Sequence, residues 1–285
     1  MVKGSPVETD QIQDFRRDSE AFLQAAGESD YAIALRELKI AELSSVADLS
    51  FSWGKWQLVF DQPSKVEAQQ IEQETHLLPV VKKFMDGTNC ELIIVSPYFV
   101  PGTWFTSYLA ALVNDGTRVR IGTNSLAAND VPLVHAGYIR YRKDLVEGGV
   151  ELYEFKPRKD LSPQRHNTRG KWSGSSRASL HGKYMGFDRR YMFVGSFNLD
   201  ARSAELNTEL GVFFESPEAA EKLAEAFDQS AMKKGYRVIV TEEGDLQWVT
   251  LENGAEKRFD VEPETGFWTR FGTRALSIIV PESQL

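Results

Sequence analysis

The chain has 285 residues, of which 42% are hydrophobic and 26% charged, and a formal net charge of −8. That is enough apolar sequence for one large domain or two small ones. The acidic balance argues against a protein that coats nucleic acid, a task that needs many phosphates neutralised by Lys and Arg. A single cysteine, Cys90, excludes an internal disulfide and reads as a small buried hydrophobe. No run approaches the roughly 20 apolar residues that span a bilayer. The polar start from Met1 to Asp14 lacks the apolar core of a signal peptide, so any membrane contact is expected to be peripheral.

From Glu8 to about Asp48 the apolar residues Ile12, Phe15, Phe22, Leu23, Leu35, Leu38, Leu43 and Val46 recur at helical spacing. Phe51 to Asp61 then predicts a strand, and Val66 to Asp86 a helix. The next hundred residues alternate: strand Leu92–Ser96, helix Trp104–Val113, strand Arg118–Thr123, helix Pro132–Glu147, strand Val150–Phe155. This rhythm predicts an α/β protein with a mixed sheet flanked by helices. Between Phe155 and Leu180 the periodicity stops. Lys156, Arg158, Lys159, Arg165, Arg169, Lys171 and Arg177 stand there against Asp160 alone, a segment suited to steering an anion toward whatever follows. Strands Leu180–Phe187, Tyr191–Ser196 and Glu209–Phe214, a helix Pro217–Gln229, and strands Arg237–Thr241 and Leu246–Leu251 complete the pattern. The end, Phe267 to Val280, is aromatic and basic, and resembles an interfacial helix or, equally, a helix docked against its own domain.

The chemistry concentrates after Leu180. The segment reads His181-Gly-Lys183, four residues, Asp188, six residues, then Gly195-Ser196-Phe-Asn198. If Leu180–Phe187 is a strand, His181 and Lys183 project to one face. A histidine there attacks phosphorus or protonates a leaving oxygen near neutral pH, while the lysine holds a non-bridging phosphoryl oxygen. Ser196 and Asn198, again two apart, donate hydrogen bonds to phosphoryl oxygens. Six residue types at fixed spacing arise by chance with a probability on the order of 10⁻⁶.

These residues are similar to the signature of the phospholipase D superfamily, and every specified position matches. The resemblance implies one half of a two-fold catalytic unit, with His181 as a catalytic histidine and Lys183 and Asn198 as phosphate ligands. Ser196 is implied as a secondary donor, and Asp188, counted with the catalytic set, chiefly orders the motif's turn. Asn207-Thr208-Glu209 resembles the family's Asn-x-Glu, which implies Glu209 as the carboxylate that orients the catalytic imidazole. Ser96 to Gly102, Thr123 to Ala128, Val134 to Tyr138, Gly149 to Glu154, Phe267-Trp268 and Gln284-Leu285 resemble bacterial cardiolipin synthases, the C subgroup in particular. His135 reads as a helix-surface or half-buried histidine without a catalytic role, although the resemblance implies Asn124 and His135 near the substrate pocket.

Superfamily enzymes use two such motifs, and this sequence has one. Residues 1–61 are therefore expected to be the helical tail of a first half, and 62–285 the catalytic half. The missing motif is expected from that first half or from a second copy of the chain. The resemblance implies transfer of a phosphatidyl group through phosphohistidine, from an anionic phospholipid such as phosphatidylglycerol to an alcohol. Alternatives are hydrolysis by water, or an incomplete half that serves membrane binding or assembly. No metal or other cofactor is implied, nucleic acid is disfavoured as partner, and the expected location is peripheral at the bacterial inner membrane, otherwise cytoplasmic.

Overall fold

The computed structural model describes residues 53–66, 76–157 and 180–279, with a few positions between 13 and 20. The expected helices of residues 8–48, the start of the Val66–Asp86 helix, the basic segment beyond Pro157 and the Gln284-Leu285 end lie outside the described residues. The chain divides into two compact units, Met1–Phe51 and Ser52–Leu285. Strand β1 (Trp56–Phe60) pairs with β7, so the second unit, which begins at Ser52, takes in a strand that lies before residue 62.

Within that unit the chain runs α1 (Leu77–Asp86), β2 (Glu91–Val95), α2 (Gly102–Asn114), β3 (Arg118–Asn124), α3 (Pro132–Tyr138), α4 (Arg142–Glu147) and β4 (Glu151–Phe155). Then come β5 (Tyr184–Phe187), β6 (Tyr191–Gly195), α5 (Ala201–Glu205), β7 (Leu210–Glu215), α6 (Pro217–Lys234), β8 (Gly235–Val240), β9 (Leu246–Glu252), β10 (Ala255–Phe259) and α7 (Phe267–Ile279). The strands form one sheet in the order β1-β7-β6-β5-β2-β3-β4-β8-β9-β10. Only the β2–β3 and β3–β4 pairs are parallel, as expected where helices α2 and α3–α4 make the crossovers.

β2 is buried on both faces, which its unbroken Leu92-Ile-Ile-Val95 run requires. Leu92 and Ile94 face a core with Leu77, Val81, Phe105, Leu109 and Leu145 from α1, α2 and α4. Ile93 and Val95 face Ala224 and Phe227 of α6. The molecule is thus helix, sheet, helix. On the α6 side the sheet outruns its cover: Trp56, Leu58 and Phe60, in register with Phe214, Val212 and Leu210 and continued by Val194, form an apolar face on which Trp56, Leu58, Phe60, Leu210 and Val194 are exposed.

Three elements depart from their expected form. The helix expected over Pro132–Glu147 breaks between Tyr138 and Arg142, and the break turns Arg142 inward, where its Nε lies 2.8 Å from the fully buried Glu154. The strand expected from Leu180 starts at Tyr184, because the Leu180 N–H and C=O bond the Asn124 side chain (3.0 and 3.1 Å) instead of a neighbouring strand. The loop after Asn198 contains α5, capped by Asp200, whose carboxylate accepts the Ser203 N–H at 2.7 Å. Cys90, expected in the core, is exposed: it sits in the turn before β2, whose amides point inward to Asp188. Among the described residues no helix is long and apolar enough to cross a membrane.

Candidate active site

Strand direction brings the motif together. β2 and β3 end at Val95 and Asn124, antiparallel β5 begins beside Val95, β6 ends beside the start of β5, and β7 begins beside the end of β6. One edge of the sheet therefore receives His181 and Lys183, Ser196 and Asn198, and Glu209, together with the segment 96–100 that follows β2. This is the carboxyl end of the parallel strands, where α/β sheets hold ligands. Ser96 ties the edge together: its hydroxyl donates to the Tyr98 carbonyl at 2.6 Å, and Val100 N–H donates to the Leu199 carbonyl at 2.7 Å.

His181 and Lys183 precede β5 rather than lying in it, and Asn124 supplies the anchorage a ladder would have given. The Asn124 side chain, fully buried, accepts from Leu180 N–H and donates to the Leu180 carbonyl, so the residue before His181 is held on both sides. Asn124 is thus a positioning residue behind the site. The His181 ring is exposed, stands edge-on to Tyr98 with centroids 6.4 Å apart, and makes no hydrogen bond among the described residues. Tyr98 donates to Asp130 at 3.1 Å, and its burial, then that carboxylate, push its phenol up to about 12. Lys183 is half-buried and its Nζ donates to the His181 carbonyl at 3.2 Å. Burial lowers the Lys183 ammonium from its ordinary value, against the opposing pull of the Glu209, Asp200 and Asp130 carboxylates.

Glu209 is buried, and its carboxylate accepts from the Ser196 hydroxyl and, at 3.4 Å, from the Asn207 amide. It makes no hydrogen bond to the His181 ring among the described residues, so the orienting contact implied by the resemblance is replaced here by one to Ser196. The Ser196 hydroxyl has one proton, and Glu209 holds it, while Leu210 N–H donates to the same oxygen at 3.1 Å. In this arrangement Ser196 fixes Glu209 instead of presenting a donor to a ligand. Asn198 does present a free group: its Oδ1 is buried and has no hydrogen-bond partner. Since amide O and N exchange by a flip, that position offers an acceptor or a donor to whatever enters the edge. Gly195 is required by close approach, since a Cβ there would meet the Leu210 carbonyl oxygen and the Gly211 Cα at 2.4 and 2.8 Å.

Beneath Glu209 lies a polar anchor absent from the sequence reading. Asp61, at the end of β1, accepts from buried Lys65 at 2.7 Å and from the amides of Leu77 and Glu209 at 2.9 and 3.0 Å. Lys65 also donates to the carbonyls of Ser203 and Asn207 at 3.0 and 2.9 Å. Burial pushes the Asp61 carboxyl up, and the bonds to Lys65 and the two amides outweigh it and hold the group below its usual range. The spacing Asp61 to Lys65 was visible in the sequence, but their distance from Glu209 along the chain hid the connection.

Asp188 lies at the opposite end of β5, about 20 Å of strand from His181 at roughly 3.3 Å per residue, so it does not touch the reacting edge. Asp188 and Arg189 have φ of 50° and 51°, with Arg190 N–H donating to the Phe187 carbonyl at 3.0 Å. The tight turn from Phe187 to Arg190 has both central residues left-handed and lies within a three-residue connection, since Phe187 pairs with Tyr191. The Asp188 carboxylate accepts from the amides of Asn89, Cys90 and Glu91 at 3.0, 2.7 and 2.9 Å, and Arg189 bridges Glu91 and Glu221. His135 is fully buried, not at the surface: Arg142 donates to its Nε2 at 3.1 Å, and burial, then Arg142, push its pKa well down. It supports the Arg142–Glu154 pair under α3 and offers no free face to a ligand. A cavity of about 600 Å³ lined by Phe84, Asp188, Arg190 and Tyr191 opens at the far edge, at the opposite end of β5 from His181 and Lys183.

An imidazole, an ammonium and an amide at an open sheet edge suit an anionic phosphate ester. Similarity to known proteins gives the family of the chain. The family described as cardiolipin synthase, phospholipase D-like domain matches residues 81–231, a little over half of the chain. Cardiolipin synthase C of Escherichia coli K12 is 40% identical over 235 residues, 82% of this chain and 49% of that protein. Cardiolipin synthase B of the same strain is 30% identical over 146 residues, 51% of this chain and 29% of that protein. The crystal structure of a phosphatidylserine synthase from Haemophilus influenzae Rd KW20 aligns with a TM-score of 0.48 at 14% identity, over 79% of this chain and 44% of that one. The chain belongs to the cardiolipin synthase, phospholipase D-like domain family. It spans about half the length, or less, of the curated relatives it matches.

Proposed function

We propose that this unit supplies one of two motifs of an enzyme that transfers a phosphatidyl group from an anionic phospholipid, phosphatidylglycerol-like, to an alcohol at the membrane surface. The observation that carries the reading is the convergence of His181, Lys183 and Asn198 on one sheet edge, in a chain of the cardiolipin synthase family. A histidine of the other motif attacks phosphorus, forming a P–N bond as the P–O bond to the leaving alcohol breaks. His181 gives that alkoxide its proton, then takes the proton of the incoming alcohol as its oxygen displaces the phosphohistidine nitrogen. Lys183 and the Asn198 amide hold the non-bridging oxygens. Glu209, fixed by Ser196 and Asp61, supplies the negative potential that keeps Lys183 charged.

The second motif comes from an upstream half or a second copy of the chain. The apolar face of β1, β7 and β6 ends at Phe60, Leu210 and Val194, next to Ser196 and Glu209, and so offers it a seat beside the site. The exposure of the His181 ring favours a second reading, in which water takes the place of the alcohol. Lipid product analysis of phosphatidylglycerol vesicles, with and without added ethanolamine, separates the two. Cardiolipin or a new phosphatidyl alcohol is expected. Phosphatidic acid as sole product would select hydrolysis, and equal turnover by His181→Ala would refute both.

A further inference from the structure

The last helix is turned the wrong way round for a water-soluble surface. α7 (Phe267–Ile279) buries Thr273 as its one buried residue, packs against α3, and receives a hydrogen bond from the Arg140 guanidinium at the Ser277 carbonyl. Its large apolar side chains point away: Phe267 is 63% exposed, Trp268 79%, Phe271 57%, Ile278 85% and Ile279 74%. At about 100° per residue these five fall within a roughly 120° arc. An amphipathic helix on a globular domain normally sinks that arc into the core, and here a threonine takes that place.

The charges around the arc complete the pattern. Arg274, 67% exposed, flanks it, Arg270 lies one turn earlier, and Gly266 to Pro281 contains no acid, in a chain whose net charge is −8. Arg270 is tied to the Thr265 carbonyl and hydroxyl, and Arg274, at the edge of the apolar arc, lies 3.8 Å from the buried Glu262 carboxylate with most of its side chain exposed. Tryptophan and phenylalanine flanked by an exposed arginine suit the boundary between phosphate headgroups and acyl chains.

We infer that the outward arc of α7 (Phe267, Trp268, Phe271, Ile278 and Ile279, with Arg274 at its edge) is the surface by which this unit lies on an anionic phospholipid bilayer. The helix inserts its aromatic and aliphatic side chains at headgroup depth, parallel to the membrane plane, while α3 holds it to the domain. The choice of a lipid occupant rests on the proposed action on phospholipid. The orientation of the helix does not.

The test uses the full chain and vesicles of equal parts phosphatidylglycerol and phosphatidylcholine, in a flotation assay. Trp268→Ser with Phe271→Ser is expected to weaken binding at least about tenfold, and Arg274→Gln by about fivefold on these vesicles but not on phosphatidylcholine alone. Because all three side chains are exposed, thermal melting of the variants should match the wild type. Turnover of a monodisperse short-chain phosphodiester should be unchanged in the double variant, while vesicle turnover falls with binding. Undiminished vesicle binding by the double variant, or no binding by the wild type, would overturn the inference. So would a double variant that keeps vesicle binding but loses self-association, which would mark α7 as a protein interface. The two readings fail separately: His181→Ala should bind vesicles normally, and if it also turns over lipid normally, the proposed function falls while the α7 surface stands.

Discussion

Asn124 shows how little of the site's placement is carried by the signature itself. The motif names His181 and Lys183, but the backbone that presents them is held by one buried amide fifty-six residues earlier in the chain. Asn124→Ala leaves both Leu180 groups unpaired, and a displacement of about 1 Å at the reacting group costs on the order of 10²-fold in rate. We expect that loss in kcat with KM little changed, partial recovery in Asn124→Gln, and an unaltered melting profile beyond a few degrees. A variant with normal kcat would remove Asn124 from the positioning of His181. Lys183 yields a prediction in pH. Its ammonium grips phosphate only while protonated, so binding is present at low pH and is lost as pH rises through a pKa that burial has lowered. Glu209 opposes that lowering. Glu209→Gln should therefore shift the alkaline limb of kcat/KM to lower pH, and a limb that stays put or moves upward would show that Glu209 does not sustain the charge. The residue types of the site were legible in the sequence, because phosphate chemistry demands them at fixed spacing. The bonds among them were not: Glu209 to Ser196, and Asn124 to Leu180, join positions whose separation only the sheet register sets.

At the scale of elements, the motif aspartate is a device of the hairpin. Asp188 sits in a left-handed conformation that costs a non-glycine residue roughly 1–3 kcal/mol, and three backbone amides of the turn before β2 repay it. Asp188→Ala keeps the strained turn and orphans those amides. About 3 kcal/mol of stability should go, read as the free energy from urea unfolding, while Asp188→Asn recovers part of it. A loss below about 0.5 kcal/mol would contradict this account. The Asp61–Lys65 pair that anchors Glu209 is fully buried, and removal of one partner costs about 3–5 kcal/mol. Because the folded Asp61 pKa is depressed, its contribution is present above the unfolded value of about 3.9 and is lost as pH falls through the folded one. Asp61→Asn should flatten the stability profile across that acid window, and an unchanged slope would assign it to other carboxylates. Strands β2 to β4 were read nearly to their ends: β2 has the unbroken apolar run of a strand buried on both faces, and β3 and β4 are bounded by the helices between them. The break between α3 and α4, the short α5 and the exposed β10 escaped. Their causes are an inward-turning arginine, a capping aspartate and an edge pairing, none of which alters the hydrophobic period.

The whole unit presents a catalytic edge with one motif, an uncovered apolar sheet face beside that edge, and a helix whose apolar side faces outward. Single-motif composition was plain in the sequence, as was the α/β class. The sheet face was not, and for the last helix an interfacial and a docked form stood equal, because a strand such as Trp56–Phe60 or a helix such as Phe267–Ile279 has the same pattern whether its apolar side meets the core or a partner. The central claim is that His181 takes part in phosphatidyl transfer as one of two histidines. It is tested most directly by turnover of phosphatidylglycerol vesicles by this chain assembled with its second motif-bearing unit, wild type beside His181→Ala. The account predicts that the variant assembles with the same mass and loses turnover by at least about 10³-fold. An assembled variant that works at the wild-type rate would contradict it.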